Sequence, residues 1–200
     1  MSAVTRIAGS PWFVWALLAL PAVPMMSGLV SGGELEELLH PTGEFAARFM
    51  IVAMLATPLR MLFPKARWAF WMVRKRRWFG VAAFGYAALH TLLYIVDTGS
   101  LSAMAREFFE LGIWTGWAAF AIFVPLAVTS NDASVRALMK WWKPLQRWVY
   151  PAAVLTLLHW IFVHNDFAPA LIHFVPLALL EAYRIRKNLQ ANAGRSAAAA

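Results

Sequence analysis

The chain has 200 residues, 61% of them hydrophobic and 14% charged, with a net charge of +8 and no cysteine. Soluble domains are about 45–50% apolar and about 25% charged, so a mean hydropathy of +0.59 points to a multi-pass membrane protein with no separate soluble domain. The missing thiols exclude disulfides, thiolate haem ligation, iron–sulfur clusters and thiol catalysis; the basic residues cluster beside apolar runs, where topology and anionic lipid explain them better than nucleic acid does.

Residues 1–10 read as a short cytoplasmic amino terminus. A first apolar segment covers about residues 11–30, with Pro21 and Pro24 inside it. It is long and lacks a small-x-small cleavage site, so a retained helix is expected rather than a cleaved signal peptide. Residues 31–43 are acidic and turn-rich. A second segment, about 44–63, carries Arg48 and ends in Thr57-Pro-Leu-Arg60. Residues 64–77 form a basic, aromatic connection to a third segment, which holds His90 and ends near Asp97. Residues 98–111 contain Arg106, Glu107 and Glu110 and predict a short interfacial helix. A fourth segment covers about 112–128. A basic connection, 129–147, follows it, and there Asn131-Asp132 can cap a short helix. The fifth segment holds His159 and ends at His164-Asn-Asp166; the sixth runs from about 167 to 183 into Arg184-Ile-Arg-Lys187.

Charge sorts these connections. Lys and Arg collect at the amino terminus, in the second and fourth connections and after the sixth segment, while Glu and Asp collect in the first, third and fifth. The positive-inside bias therefore predicts an all-α bundle of six transmembrane helices with both termini cytoplasmic. Residues 11–187 form the membrane domain and residues 188–200 a flexible tail. Trp12, Trp68, Trp71, Trp78, Trp114, Trp141, Trp142 and Trp148 fall near the expected interfaces, as an aromatic belt does.

Two imidazoles lie deep in apolar segments, where a polar ring is costly without a partner. His90 is 13 positions from Arg77, and His159 is 12 from Arg147. At about 1.5 Å per residue both rings sit roughly 18–20 Å from the basic side. Two co-oriented spans with histidines at matched depth can supply the axial pair of a six-coordinate haem iron. Hydrogen-bonded core histidines are the alternative. Small residues below His90, Ala83 and Ala87, let a flat macrocycle or a second backbone approach. Arg48 needs a partner at its depth, and a haem propionate or Glu44 one turn away would serve. His40 is placed in a loop on the outer face, available to a propionate or a partner protein. His164 lies about 140° around the helix from His159, so the two are not expected to face one haem. His173 is read as interfacial or packing. No glycine-rich nucleotide fingerprint and no nucleophile-plus-base motif occur.

Taken together, His40-Pro-Thr-Gly43, Thr57-Pro-Leu-Arg60, Arg76-Arg-Trp-Phe-Gly80 through Ala88-Leu-His90, Thr129-Ser130, and Trp142-Lys-Pro-Leu through Val149-Tyr150 to His159 follow one order. That order resembles the haem-binding membrane subunit of the periplasmic protein-methionine-sulfoxide reductase system, within the ferric-reductase-like transmembrane superfamily, over about residues 10–187. The resemblance implies a b-type haem held by His90 and His159 in the bacterial inner membrane. It also implies electrons from the quinone pool, with or without flavin mononucleotide (FMN), and a periplasmic molybdenum-cofactor reductase as acceptor. The chain would then be an electron-transfer subunit rather than the catalytic one. Gln146 stands where many relatives carry a histidine, which argues against a second haem and leaves a flavin or quinone site on that side open. Two other readings remain: a ferric or other metal-reducing oxidoreductase on the same haem core, and a cofactor-free transporter or scaffold.

Overall fold

The computed structural model describes residues 10–32 and 34–198, and among these every regular element is helical. The helices are α1 Pro11–Ala19, α2 Ala22–Val30, α3 Glu36–Leu62, α4 Arg67–Thr98, α5 Leu101–Glu107, α6 Leu111–Val128, α7 Asp132–Leu138, α8 Trp142–Gln146, α9 Val149–His164 and α10 Phe167–Ala198. Four are long and apolar enough to cross a membrane: α3, α4, α6 and, within α10, Phe167–Ser196. α9 is apolar but has only 16 residues. The first predicted span is not one rod but two nine-residue helices. The break falls at Leu20-Pro21, where proline removes a backbone donor. The Tyr86 hydroxyl donates to the carbonyl of Leu18 at this break, 3.1 Å away, and Trp15 stacks on Trp78, so α1 is seated on α4.

Other boundaries differ from the sequence expectation. Residues 36–43 continue α3 instead of forming a turn, so His40 is helical and Pro41 lies inside the helix. The basic connection is helical from Arg67 onward, which makes α4 32 residues long. The stretch expected to be a flexible tail continues α10 to Ala198. As expected, a short helix follows the third segment, and the Asn131 side chain accepts from Ser134 N at the start of α7.

Two helix pairs make the core. α3 packs along α4 and α9 along α6, with α10 against α3. Their seams are lined by small buried residues: Ala46, Ala47 and Ala56 on α3, Ala82, Ala83 and Ala87 on α4, Ala119 on α6, and Ala152 and Ala153 on α9. In lipid, close approach of backbones replaces much of the hydrophobic drive, so small side chains belong there. The remaining faces carry exposed Leu, Val, Ile, Phe and Trp, which is the surface a bilayer covers.

Candidate functional site

His90 on α4 and His159 on α9 meet across the space between the two helix pairs. Their ring centres are 5.9 Å apart and the planes are nearly perpendicular, at 80°. In each ring Nδ1 faces a backbone carbonyl: Leu39 O at 2.9 Å for His90 and Gly112 O at 2.7 Å for His159. A carbonyl only accepts, so Nδ1 carries the proton in both rings and Nε2 keeps a free lone pair. Metal-binding histidines are oriented in this way.

The two rings sit in matching cradles. Behind His90, α3 presents Leu39, Thr42 and Gly43. Behind His159, α6 presents Gly112, Thr115 and Gly116. In each set the carbonyl of the first residue accepts from the histidine, and the threonine hydroxyl back-bonds one turn earlier: Thr42 to Leu38 O at 2.7 Å, Thr115 to Leu111 O at 2.6 Å. In each set the glycine makes room. A Cβ on Gly43 would lie 3.1 Å from His90 Nδ1, and one on Gly116 would lie 2.6 Å from His159 Nδ1. Pro41 removes the donor that would reach Glu37 O; separately, Leu38 O accepts from Thr42 and Leu39 O from His90. Thus the His40-Pro-Thr-Gly43 motif is the wall that fixes His90. The equivalent Thr115-Gly116 went unnoticed in the sequence; its signal is the recurrence of Thr-Gly on the helix packed against each histidine helix.

The rings open into a cavity enclosing about 860 Å³, part of it open to the surface. Ala87, Thr91, Tyr94, Trp117, Phe120 and Trp160 are among its walls. The Trp160 indole N–H is buried without an acceptor. An orphaned buried donor is rare, and in a cavity wall it points to a missing acceptor. The residues also fit a bis-imidazole iron: with metal–nitrogen bonds of about 2 Å on opposite sides, ring centres fall about 6 Å apart. Among the described residues no group of three or more metal-ligating side chains occurs, so a metal here would rest on two histidines and a macrocycle.

His40 and His164 line the same cavity at its acidic-side mouth and hydrogen-bond to each other, Nδ1 to Nε2, at 3.1 Å. His164 thus shares the cavity with His159, its ring bonded to His40 at the mouth; α9 ends there, with Asn165 left-handed behind it. Arg48 is not among the lining residues. It pairs with Glu44, the partner one turn away that the sequence offered, and donates to His173 Nε2 at 3.2 Å.

A second, larger cavity, also open to the surface, lies toward the basic side. Arg74, Arg76, Arg77, Lys143, Arg147 and Arg184 line it, and Phe123 is shared with the first cavity. Phe84 from this wall stacks on Phe120 from the other at 5.8 Å, so only an aromatic layer separates the two. Gln146 also lines it, with its amide committed to Leu126 O at 3.1 Å and Thr129 Oγ1 at 3.0 Å. Asp132 pairs with Arg77 at 2.6 Å, and the guanidinium holds its carboxyl below the ordinary range.

The family model for the ferric reductase like transmembrane component matches residues 42–157. Over 184 residues the chain is 37% identical to the protein-methionine-sulfoxide reductase heme-binding subunit MsrQ of Rhodospirillum rubrum, covering 86% of this chain and 85% of the relative. The chain belongs to the MsrQ family of ferric-reductase-like membrane proteins. Other MsrQ proteins agree: that of Azospira oryzae is 31% identical over 189 residues, covering 90% of this chain and 79% of the relative. That of Xanthomonas euvesicatoria is 34% identical over 161 residues, covering 78% and 71%. The ferric reductase like match begins at Thr42, inside the wall that holds His90.

Proposed function

We propose that this chain is the electron-transfer subunit of a periplasmic protein-methionine-sulfoxide reductase system in the bacterial inner membrane, holding one b-type haem between His90 and His159. The observation that carries the reading is the pair of imidazoles set in matching Thr-Gly cradles, each with Nε2 left free. When bound, the iron porphyrin supplies reversible one-electron chemistry. The chain's own residues do the rest. Leu39 and Gly112 hold each imidazole in one tautomer, Gly43 and Gly116 let the rings approach the helices, and the Trp160 N–H would donate to an acceptor on the bound group. His40 and His164 close the mouth toward the acidic side. Two histidine ligands would leave the bound iron no open position for oxygen or a metal chelate, which favours relaying electrons over direct ferric reduction.

Electrons enter at the basic-side cavity and leave at the acidic side. The entry donor is a membrane quinol or a flavin such as FMN, whose phosphate the lining cations would hold. The acceptor is a soluble molybdenum-cofactor reductase. Gln146 offers no nitrogen lone pair, so a second haem has no ligand there. Absorbance spectra with haem quantitation test this on the wild type, His90→Ala, His159→Ala and Gln146→His. About one haem per chain is expected, lost in either alanine variant, with a second gained in Gln146→His. A colourless folded protein from haem-replete cells, or full haem content in His90→Ala, overturns the reading.

A further inference from the structure

α10 buries a charged pair that the electron-relay account does not use. Glu181 is only 9% exposed, and its Oε1 has no hydrogen-bond partner. Arg184, one turn on, approaches Glu181 Oε2 at 2.8 Å as an ion pair, yet its own Nε is also buried and unpartnered. Arg184 donates through Nη2 to the Tyr150 hydroxyl from α9. Arg184 and Tyr150 both line the basic-side cavity, and Glu181 lies directly behind them. A buried ion pair is costly to maintain unless its remaining donors and acceptors are satisfied. This one is left incomplete at a cavity wall, inside a membrane-spanning helix, where an ionisable residue points to function.

We propose that Glu181 is the proton acceptor of this cavity, and that the cavity's ligand is a hydroquinone; the inference rests on the quinol-donor reading above. A hydroquinone becomes a quinone by giving up two electrons and two protons. In each of two one-electron halves one O–H bond breaks and one electron would pass to the haem, which would hand the first on to the acceptor reductase before taking the second. The proton released passes to the Glu181 carboxylate, making it a carboxylic acid, which returns the proton to the aqueous basic side before the second half. Arg184, which cannot give up its own proton, holds the carboxylate behind the cavity wall, so the proton reaches Glu181 through water in the cavity rather than along the guanidinium. The charged groups around this path are Arg184 on the same helix, Arg74, Arg76 and Arg77 from α4, and Lys143 and Arg147 from the segment before α9. Asp132, exposed at the rim and paired with Arg77, is the other carboxylate; Glu181 is the buried one and the base beside Arg184.

The test compares haem reduction in the purified holoprotein by menadiol with reduction by methyl viologen radical, which delivers an electron and no proton. The wild type should be reduced by both, the menadiol rate rising with pH as the carboxylate ionises. Glu181→Gln should lose on the order of 100-fold in the menadiol rate and its share of the pH dependence, keep the viologen rate, and lose a carboxylic C=O band from the redox-difference infrared spectrum. Glu181→Asp should recover part of the menadiol rate. Menadiol reduction of Glu181→Gln at the wild-type rate, or an equal fall with both donors, overturns the role of Glu181. A wild type that viologen reduces and menadiol does not overturns the quinol reading itself, and the proton acceptor with it.

Discussion

At the scale of single residues, the glycines beside the histidines make the sharpest prediction. A methyl on Gly116 would lie 2.6 Å from His159 Nδ1 and 2.7 Å from Cε1, and the ring cannot give way without losing its bond to Gly112. Gly116→Ala should cost about 1–3 kcal/mol of overpacking and a large part of the haem content, read by quantitation on folded protein. Gly85→Ala is the control: nothing lies within 4 Å of its added methyl, and a helix interior gains up to about 1 kcal/mol from the change, so haem content should hold. Trp160→Phe removes a buried donor that has no acceptor in the protein. The apoprotein should melt no lower, while haem retention weakens by about 1.5–3 kcal/mol, the worth of a hydrogen bond to a charged group. His90 and His159 were legible because polar rings at matched depth stand out in apolar sequence. Trp160 and Glu181 were not, because burial without a partner is a property of packing.

At the scale of elements, hydropathy and charge located the third to sixth apolar segments and the capped helix at Asn131. They misplaced ends wherever a local signal was overridden. His40-Pro-Thr-Gly43 reads as a turn, yet it lies inside α3, packed against His90, whose ring bonds to the Leu39 carbonyl. Pro21 does break its segment, and Tyr86 on α4 takes up a carbonyl there. The basic stretch from Arg67 has helical propensity that its charge concealed. At the rim of the basic-side cavity, Arg77 reaches from α4 to Asp132 on α7. The lowered carboxyl pKa means the pair's contribution is present above the unfolded value of about 3.9 and is lost only as pH falls through the lower folded value. A carboxyl ¹³C titration should show a midpoint below about 3.9, and Arg77→Ala should return it toward that value.

At the scale of the whole molecule, two helix pairs each contribute a histidine and the wall that fixes its partner helix, and the space between them divides into two cavities. The acidic-side cavity holds the imidazoles; the basic-side cavity holds the cations, Gln146 and the path to Glu181. Sequence charge gave the polarity of this arrangement, but the aromatic layer of Phe84, Phe120 and Phe123 emerges only when the helices are packed. Electron paramagnetic resonance of the oxidised, purified protein tests the central claim most directly. A low-spin ferric signal of two axial histidines is expected in the wild type, and its loss in both His90→Ala and His159→Ala. A high-spin wild-type signal, or a low-spin signal unchanged in either variant, would contradict it.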